Sequence, residues 1–342
     1  MRIAILSPIA WRTPPRHYGP WEQVAAWITE GLVREGVDVT LYATADSQTG
    51  ARLRAVAPRP YAEDRSLDPK VWESLHIAAL FEEAGSYDLI HNHYDFLPLT
   101  YTKLVDTPVV TTIHGFSSPR IIPVYRKYNR RVHYVSISDA DRHPGLDYSA
   151  TIHHGIPVEE FPFCGDPGRY LLFFGRIHPD KGAAEAVQLA RQADLPLIIA
   201  GIIQDRAYYD RAVAPYLDND RIKYIGSVGP AEKGALLGGA RALLHLINFD
   251  EPFGLSVVEA MACGTPVIAC NRGSMPELIL DKETGILLEH PEEAKAALAL
   301  LKDIDRRRCR AHVRDNFSVE TMVKRYLELY RQIIFKREIG KG

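Results

Sequence analysis

The sequence predicts an α/β protein built from two Rossmann-like α/β/α domains. Short runs of apolar and β-branched residues alternate with stretches of helical periodicity, which is typical of parallel sheets covered by helices. The length of 342 residues is about that of two ordinary domains. A segment rich in proline and glycine, residues 157–168, interrupts the alternation near the middle of the chain and predicts a linker.

The first predicted domain occupies residues 1–156. It begins with an apolar strand at 2–6, and residues 21–35 carry apolar side chains at helical spacing. The further elements predicted for this domain are, in order, a strand at 38–44, a helix at 69–83, strands at 88–91 and 108–113, a helix at 119–128 and a strand at 133–137. Together they make up most of one Rossmann-like domain.

The second predicted domain occupies residues 169–318. It opens with the apolar run at 170–174 and repeats the alternation to about residue 289. A last long helix is predicted at 319–337, because apolar side chains recur there at helical spacing.

Composition excludes several classes of protein. Hydrophobic residues make up 46% and charged residues 25% of a chain with a net charge of -2, which is typical of a globular protein and unlike a strongly basic nucleic-acid binder. The four cysteines have no C-x-x-C spacing, and Cys263 and Cys270 stand in apolar contexts. The first residues predict a strand and neither a signal peptide nor a membrane span. We therefore expect a cytoplasmic protein.

The stretch 250–269 carries the clearest chemical signal. Two glutamates, Glu251 and Glu259, stand eight positions apart on either side of a Phe-Gly-Leu turn that leads into a short apolar helix. The backbone N–H groups of Phe253, Gly254 and Leu255 at that helix start predict an anion site. Carboxylates accept hydrogen bonds from sugar hydroxyls, and a helix N-terminus suits a diphosphate. The stretch therefore predicts binding of a nucleotide sugar.

A second signal follows the strand predicted at 170–174. The turn after this strand contains Gly175, Arg176 and Lys181, and turns at the carboxyl ends of strands in open α/β sheets are where ligands bind. Arginine presents a planar fork and lysine a point charge, and both suit phosphate oxygens. A solvated surface turn remains the alternative interpretation when this motif is considered alone.

In the first domain, polar side chains follow three of the predicted strands. The loop after the first strand is long for a strand-to-helix connection and carries Arg16, Tyr18 and Gly19, and long loops at this position are usually functional. His114 ends the strand at 108–113 and precedes a glycine. The strand at 88–91 ends in a further polar cluster, which consists of His91, Asn92, His93 and Tyr94.

Cofactor and metal chemistry lack their motifs. No G-x-G-x-x-G sequence follows a strand, which argues against a nicotinamide cofactor. The Asp-x-Asp triplets at 139–141, 218–220 and 303–305 are interpreted as solvated caps of loops and helix ends. The histidines near residue 91 have no companion cysteines or carboxylates, so we interpret them as binding residues and not as metal ligands. We expect no cofactor and no essential metal.

These motifs together resemble those of family 4 of the retaining GT-B glycosyltransferases, also called glycosyl transferases group 1. The Glu-x7-Glu spacing with its Glu-Pro-Phe-Gly core, the Gly-Thr-Pro-Val that follows at 264–267 and the Gly-Arg…Lys-Gly motif at 175–182 all match the family. The resemblance implies a GT-B fold, in which two Rossmann-like domains face a central cleft. It further implies that the first domain binds the acceptor, that the second binds the donor, and that the last helix packs back on the first domain.

The resemblance also assigns roles to individual residues. It implies that Arg176 and Lys181 hold the donor diphosphate, that Glu251 binds the sugar hydroxyls and that Glu259 binds the ribose. His114 and Glu251, with Arg176 and Lys181, form the expected catalytic set. The remaining expected donor contacts are Gly19, Ser227, Val228, Phe253, Gly254 and Leu255. The expected acceptor contacts are Arg16, Tyr18, His91, Asn92 and Tyr94.

The function predicted from these assignments is transfer of a hexose from a UDP- or GDP-linked sugar to a saccharide or other hydroxyl acceptor. Since no carboxylate is obviously placed as a nucleophile, a metal-independent same-face displacement is the predicted retaining route. The alternatives are a GT-B sugar-nucleotide epimerase and a non-catalytic nucleotide-sugar binding protein. A phosphorylase of this fold would need a pyridoxal lysine, for which there is no motif.

Two basic runs, 126–131 and 306–310, leave a further partner open. Charge runs are usually solvated faces, but related lipid-modifying transferases use basic patches to contact anionic membranes. Peripheral membrane contact is therefore a secondary expectation.

Overall fold

A computed structural model describes residues 1–166 and 168–339 of the protein. The chain divides into two compact units. The first contains Met1–Gly155 and the helix that starts at Val319, and the second contains Ile156–Ser318. The segment 157–168, which the sequence predicts as a linker, falls within the bounds of the second unit.

Each unit is built on one sheet of parallel strands. The strands of the first sheet are β1 (Arg2–Leu6), β2 (Asp38–Tyr42), β3 (Arg52–Arg54), β4 (Leu89–Asn92), β5 (Val109–Ile113), β6 (His133–Ser136) and β7 (Tyr148–Thr151). Those of the second sheet are β8 (Tyr170–Phe174), β9 (Leu197–Ala200), β10 (Ile222–Tyr224), β11 (Ala240–His245), β12 (Val267–Cys270) and β13 (Gly285–Leu288). The order is β3-β2-β1-β4-β5-β6-β7 in the first sheet and β10-β9-β8-β11-β12-β13 in the second.

Helices lie in most of the connections between these parallel strands, and the last three helices follow β13. They are α1 (Pro20–Arg34), α2 (Pro69–Glu82), α3 (Ile122–Tyr128), α4 (Ala183–Ala193), α5 (Arg206–Ala212), α6 (Pro230–Gly238), α7 (Leu255–Ala262), α8 (Met275–Leu278), α9 (Ala294–Ala297), α10 (Arg306–Asn316) and α11 (Val319–Ile339).

The predicted elements of the first unit are present within about two residues of their predicted ends, but two of its strands were not predicted. β3 has three residues, two of them charged, and β7 is a four-residue edge strand that is mostly half-buried or exposed. Neither segment has the apolar alternation that marks a strand in a sequence. The helix predicted at 119–128 begins with a 3-10 turn at Pro119–Ile121 before α3.

The last helix, α11, supplies buried side chains to the first unit. Tyr326 and Tyr330 are fully buried, and their hydroxyl groups lie 2.7 Å from Thr112 Oγ1 and 2.5 Å from His91 Nδ1. On α1, the Gly31 backbone leaves room for the side chain of Val323, since a Cβ at residue 31 would lie 2.4 Å from Val323 Cγ2. The end of the chain is therefore part of the hydrophobic core of the first unit.

The basic run at 306–310 is partly internal, which corrects its interpretation as a surface patch. Arg306 is buried, and its guanidinium donates hydrogen bonds to the carbonyl oxygens of Gly238 and Ala240 and to Thr265 Oγ1. Arg310 donates to the carbonyl oxygen of Ala262. These two side chains stabilise the second unit by satisfying buried carbonyl groups. Within the described part of the chain, no helix is both long and apolar enough to cross a membrane.

Candidate functional site

The second sheet brings the two motif-bearing loops together. Chain order reverses between the neighbouring strands β8 and β11, and such switch points at the carboxyl ends of strands are the usual ligand sites of open α/β sheets. The loop after β8 carries Arg176 and Lys181, and the loop after β11 carries Glu251. The backbone N–H of Asn248 donates to the carbonyl oxygen of Asp180 at 3.1 Å, which ties the two loops to each other.

Lys181 and Glu251 form an ion pair at this point. Lys181 Nζ lies 2.5 Å from Glu251 Oε2, and the two side chains are only 14% and 13% exposed. The ammonium group also lies 4.4 Å from the ring centroid of Phe249, where a cation–π contact adds to its stabilisation. The sequence predicts both residues for the site, and the structure places them in direct contact.

His245, at the end of β11, completes the surroundings of Glu251. Its Nε2 lies 3.5 Å from Glu251 Oε2, and its side chain is buried. Burial alone would raise the pKa of Glu251, but His245 and the Lys181 ammonium outweigh it and lower the pKa to about 2. Glu251 is therefore a carboxylate at neutral pH, which can accept hydrogen bonds but has no proton to donate.

Two glycines allow these loops to pack backbone against backbone. Gly182 has φ +79°, and a Cβ there would lie 2.1 Å from the carbonyl oxygen of Leu246. Gly273, after β12, has φ +56°, and its Cβ would lie 2.3 Å from the backbone nitrogen of Glu251. Larger residues at either position would displace the loops that carry the ion pair.

Arg176 lies in the same loop as Lys181 but has a different partner. Its Nη1 donates to Gln204 Oε1 at 2.5 Å, and the side chain is half-buried. Because glutamine is neutral, this contact orients the guanidinium without cancelling its charge. Arg176 is thus available to an anion in a way that Lys181, already paired with Glu251, is not.

The start of α7 supplies backbone donors next to the ion pair. Helix geometry gives the amides of Leu255 and Ser256 no partner inside the helix, whereas the amides of Val257 and Val258 donate to the carbonyl oxygen of Gly254. Phe253 is buried, and its carbonyl oxygen accepts a hydrogen bond of 2.5 Å from Ser274 Oγ, which holds the turn before Gly254 in place. The predicted anion site at Phe253, Gly254 and Leu255 therefore has a well-supported backbone.

Glu259, in the second turn of α7, has its own lysine. Its Oε1 lies 2.5 Å from Nζ of Lys233, which belongs to α6, and the two side chains are 5% and 21% exposed. The ammonium group of Lys233 also lies 5.4 Å from the ring centroid of Phe161. Each glutamate of the Glu-x7-Glu motif is thus paired with a lysine from another element.

The predicted base-binding residues lie in the loop between β10 and α6. Ser227 is exposed and Val228 is half-buried. The carbonyl oxygen of Gly226 accepts a hydrogen bond of 2.8 Å from the backbone N–H of Gly201, which connects this loop to the turn after β9. Lys233 follows the loop by one helical turn.

In the first unit, the long loop after β1 is held by polar contacts. Gly19 is buried directly before α1, and Tyr18 packs edge-on against Trp11 with 6.1 Å between ring centroids. Arg16 is exposed and pairs with Glu63 at 2.5 Å and with Asp46 at 3.1 Å. Arg16 and Tyr18 are accessible to a ligand, as a role in acceptor binding requires.

Glu22, at the start of α1, is a buried acid that the sequence analysis missed. Its Oε1 accepts a hydrogen bond of 3.1 Å from the backbone N–H of Trp11. Burial raises the pKa of Glu22 to about 7. The amphipathic pattern of α1 does not predict that Glu22 is buried, because the residues that cover it belong to the long irregular loop after β1.

Four histidines of the first unit are joined by hydrogen bonds into a continuous row. We refer to the following residues as the histidine row: His91, His93, His114 and His154. His93 lies at the centre, with Nε2 3.2 Å from His91 Nδ1 and Nδ1 3.0 Å from His114 Nε2. His114 Nδ1 in turn lies 3.2 Å from His154 Nε2. Two strands and the segment after β7 contribute to the row.

One arrangement of protons connects the whole row. If each imidazole carries its proton on Nε2, each ring donates to the next, and His91 donates to Thr112 Oγ1 at 2.7 Å. The single lone pair of His91 Nδ1 then faces two donors, His93 Nε2–H at 3.2 Å and the Tyr330 hydroxyl at 2.5 Å. This arrangement requires neutral rings. Burial lowers the pKa of His154 to about 3 and holds the pKa values of the other three rings well below the ordinary value.

The structure places the predicted acceptor residues of β4 in the core, which corrects the expectation that their side chains contact a ligand directly. His91 and Asn92 are fully buried, and Tyr94 is nearly so. Asn92 Nδ2 donates to Thr111 Oγ1 and His91 belongs to the histidine row. Strand ends attract ligands, but a side chain at a strand end reaches one only if it is not enclosed by neighbouring elements.

His114 keeps a more accessible position, at the end of β5. Its side chain is only partly buried, and the ring of Trp21 stacks on it with 5.5 Å between centroids. Both ring nitrogens are hydrogen-bonded within the histidine row, so the ring is held in one orientation. The sequence places His93 in the polar cluster after β4 without a role of its own and gives His154 no role, because the contacts of both residues join distant segments.

Comparisons with known proteins agree with this architecture. The chain matches a sequence model described as "Glycosyltransferase Family 4" over residues 22–174 and one described as "Glycosyl transferases group 1" over residues 164–316. It is 25% identical to a glycogen synthase of Mycobacterium tuberculosis (strain CDC 1551 / Oshkosh), over 96% of this chain and 94% of that protein.

Two solved structures share the fold over nearly the whole chain. A sucrose-phosphate synthase from Thermosynechococcus elongatus has a TM-score of 0.79 at 19% identity, covering 98% of this chain and 99% of that one. Anabaena Alr3699/HepE, solved in complex with UDP, has a TM-score of 0.74 at 18% identity, covering 97% of this chain and 100% of that one.

Two parallel α/β units and a lysine–glutamate site at a switch point define this protein as a GT-B glycosyltransferase, as the sequence predicts. The two family matches together span residues 22–316, and the chain belongs to the group 1 glycosyltransferases. The prediction of an enzyme, a hexosyltransferase, is thereby confirmed.

Across residues 1–166 and 168–339, no group of three or more histidine, cysteine, aspartate or glutamate side chains is arranged to hold a metal ion. The residues present at the second switch point are instead two cations, two carboxylates and the backbone amides of α7. This set suits a ligand that combines an anionic group with several hydroxyl groups.

Proposed function

We propose that this protein transfers a hexosyl group from a nucleoside-diphosphate sugar to a hydroxyl acceptor with retention of the anomeric configuration and without a metal ion. The observation that carries the proposal is the Lys181–Glu251 ion pair beside Arg176 and the N-terminus of α7. This arrangement offers cations and amides to a diphosphate and a carboxylate to sugar hydroxyls within a few residues of one another.

The proposed donor is a UDP- or GDP-linked hexose. UDP is supported by the structural relative from Anabaena, which has been solved with UDP and with UDP-glucose. The diphosphate lies on Arg176, Lys181 and the amides of Phe253, Gly254 and Leu255. Glu259 binds the ribose, and the backbone of Ser227 and Val228 contacts the base.

Transfer breaks the bond between the anomeric carbon and the diphosphate oxygen. Negative charge grows on the departing phosphate, where Arg176, Lys181 and the α7 amides stabilise it, and this is the main source of catalysis. The acceptor oxygen bonds to the anomeric carbon from the same face, and the departing phosphate oxygen takes its proton. Glu251 is ionised and unsuited to donate a proton, so it orients the sugar hydroxyls.

Further roles are proposed for the first unit. His114 contacts the transferred sugar through its main-chain carbonyl, because both ring nitrogens are already hydrogen-bonded. Gly19 allows the loop after β1 to approach the donor closely. The acceptor is a saccharide or another hydroxyl compound that contacts Arg16 and Tyr18.

The proposal is tested with Lys181→Ala in a transfer assay that uses UDP- and GDP-hexoses, a panel of hydroxyl acceptors and the metal chelator EDTA. We expect kcat to fall by about 100-fold or more, as for loss of one donor to the developing charge. Lys302→Ala, at an exposed residue of the same unit, is the matched control. Near-normal turnover by Lys181→Ala would overturn the assignment of the site.

The remaining features are tested on the same product. Retention predicts that NMR of the product shows the anomeric configuration of the donor sugar. Metal independence predicts transfer at the same rate with EDTA and with magnesium. Inverted product would exclude the same-face displacement, and loss of transfer in EDTA that magnesium restores would exclude the metal-independent route.

A further inference from the structure

Lys233 is a cation of the donor-binding unit to which the Glu-x7-Glu motif assigns no part. It lies in α6, outside both motifs of the second unit, and its Nζ contacts Glu259 Oε1 at 2.5 Å. The carboxylate of Glu259 is 5% exposed. An unpaired carboxylate at that depth would be strongly disfavoured, so the lysine neutralises a charge that the helix α7 buries.

The pair leaves the two oxygen atoms of Glu259 in different situations. Oε1 is taken by the ammonium group of Lys233, and the resulting contact restricts rotation of the carboxylate about its last bond. The same contact therefore fixes the direction from which Oε2 can accept a hydrogen bond. Lys233 itself is restrained from the other side by the ring of Phe161, at 5.4 Å from Nζ to the ring centroid. The orientation of the carboxylate is therefore built into the protein before any ligand arrives.

Lys233 lies close in sequence to the loop that is proposed to bind the base of the nucleoside. It follows the loop of Ser227 and Val228 by one helical turn, and this loop is the proposed base site. Glu259, its partner, is the proposed ribose contact. A cation between these two features acts on the sugar–base half of the donor and lies on a different loop from the diphosphate residues Arg176 and Lys181.

We propose that Lys233 is a positioning residue that orients Glu259 toward the ribose 2′- and 3′-hydroxyls, so that the enzyme selects ribonucleotide donors over 2′-deoxyribonucleotide donors. This inference rests on the proposed function, because it assumes a nucleoside-diphosphate sugar at the site. A held carboxylate discriminates well, because a donor that lacks the 2′-hydroxyl leaves one of its hydrogen bonds unmade. Sites built to bind a hydroxyl reject analogues without it for this reason.

The experiment is a binding cycle that combines a change in the protein with a change in the ligand. Calorimetric titration measures the affinities of UDP and 2′-deoxyuridine diphosphate, and of GDP and 2′-deoxyguanosine diphosphate, for the wild type and for Lys233→Met. We expect the wild type to prefer the ribonucleotide by about tenfold or more, in line with one hydrogen bond to a charged group. In Lys233→Met the preference falls to about twofold or less.

Two variants separate positioning from a general structural effect. Lys233→Arg keeps a cation that can reach Glu259, and we expect it to retain the preference. Lys223→Met removes an exposed lysine of β10 in the same unit and should change neither affinity. If Lys233→Met does not fold, Lys233→Ala, which also offers Glu259 no hydrogen bond, is measured in the same cycle.

The outcomes distinguish this inference from the proposed function. Wild-type protein that binds none of the four nucleotides would overturn the proposed function and the inference with it. Wild-type preference for the ribonucleotide that persists in Lys233→Met or Lys233→Ala would overturn the inference alone. Equal loss of ribo- and deoxyribonucleotide affinity in these variants would also overturn it, since the preference for the ribonucleotide would then not depend on Lys233.

Discussion

At the scale of single residues, burial decides which ionisable groups of this protein carry charge. Glu251 and Glu22 are both enclosed acids, but Glu251 faces Lys181 and His245, whereas Glu22 meets only a backbone N–H. The pKa of Glu251 is consequently lowered to about 2, and that of Glu22 is raised to about 7. The same type of side chain is thus an anion at neutral pH in one unit and an acid that titrates near neutral pH in the other.

The change Glu22→Gln tests this contrast. The folded pKa of about 7 lies above the ordinary value of 4.5, so the stability associated with the protonated acid is complete below pH 4.5 and is lost as pH rises through 7. Glutamine keeps the acceptor for Trp11 N–H and cannot ionise. We expect it to raise the free energy of unfolding at pH 8 by about 3 kcal/mol, at 1.4 kcal/mol for each pKa unit, with little effect at pH 4.5.

The measurement is urea unfolding at the two pH values. Tryptophan fluorescence reports on the correct part of the molecule, because all four tryptophans of the chain belong to the first unit. Glu35→Gln, at an exposed position just after α1, is the control. An equal change in stability at both pH values would show that Glu22 is ionised in the folded protein.

At the scale of elements, the site depends on loops that pack directly against each other. The turn after β12 packs against the loop of Glu251. The backbone N–H of Ser274 donates to the carbonyl oxygen of Glu251 at 3.0 Å, and Gly273 lies against the Glu251 backbone. The Glu251 carboxylate is therefore positioned by the turn after a third strand, β12, in addition to the two strands at the switch point.

Gly273→Ala should disturb the site without removing any functional group. A Cβ at this position would lie 2.3 Å from Glu251 N and 2.5 Å from its carbonyl oxygen, so the Glu251 loop must shift. We expect kcat/KM for hexosyl transfer to fall by about 100-fold, because a displacement on the order of 1 Å has that effect on a positioned group. Affinity for the nucleoside diphosphate should fall less than kcat/KM, because Arg176 lies in a different loop and keeps its contact with Gln204.

Steady-state kinetics and calorimetry with the nucleotide measure these two effects. Gly85→Ala is the matched control, since a Cβ at residue 85 would meet no atom within 4 Å. Unchanged kinetics in Gly273→Ala would mean that the position of the Glu251 loop is not critical for transfer.

At the scale of the whole molecule, the first unit concentrates buried neutral histidines. His76, His91, His93 and His154 are buried, and His114 is partly buried. Burial is the largest cause of the lowered pKa of each of these histidines, and the pKa of His76 is lowered to about 4. Protons therefore bind to the unfolded chain, near pH 6.5, before they bind to the folded protein. The second unit has a different acid response, because Glu251 remains ionised until much lower pH.

We expect the first unit to lose stability as pH falls from about 6.5 toward 4. Each of these histidines with a lowered pKa contributes a slope of about 1.4 kcal/mol per pH unit, since the unfolded state takes up a proton that the folded state excludes. Urea unfolding between pH 7.5 and 5, followed by tryptophan fluorescence, measures this slope. His76→Gln should remove the contribution of one proton, whereas His17→Gln, at an exposed residue, should not.

A free energy of unfolding that is constant over this pH range would contradict the prediction. It would mean that the histidine row remains protonated or opens to water in the folded protein. Glu22 acts in the opposite direction over part of the same range, so the slope is best compared between variants and not read from the wild type alone.

Local sequence patterns were sufficient for the fold and for the donor motifs. The spacing of the apolar residues predicts strands and helices, because buried strands contain short continuous apolar runs and the covering helices have apolar residues at helical spacing. Arg176, Lys181, Glu251 and Glu259 were identified because their chemistry depends on short spacings within a turn or a helix. The two edge strands β3 and β7 were missed because short, exposed strands carry little of that pattern.

Only the tertiary structure determines which of these side chains are in contact. Glu259 pairs with Lys233, 26 positions away, and His91 contacts Tyr330, 239 positions away. The sequence determined two α/β units, a nucleotide-sugar chemistry and the residues of the Glu-x7-Glu motif. Partners, burial and pKa values were decided by the tertiary structure, because they depend on which distant segments pack together, and no local spacing in the chain encodes that packing.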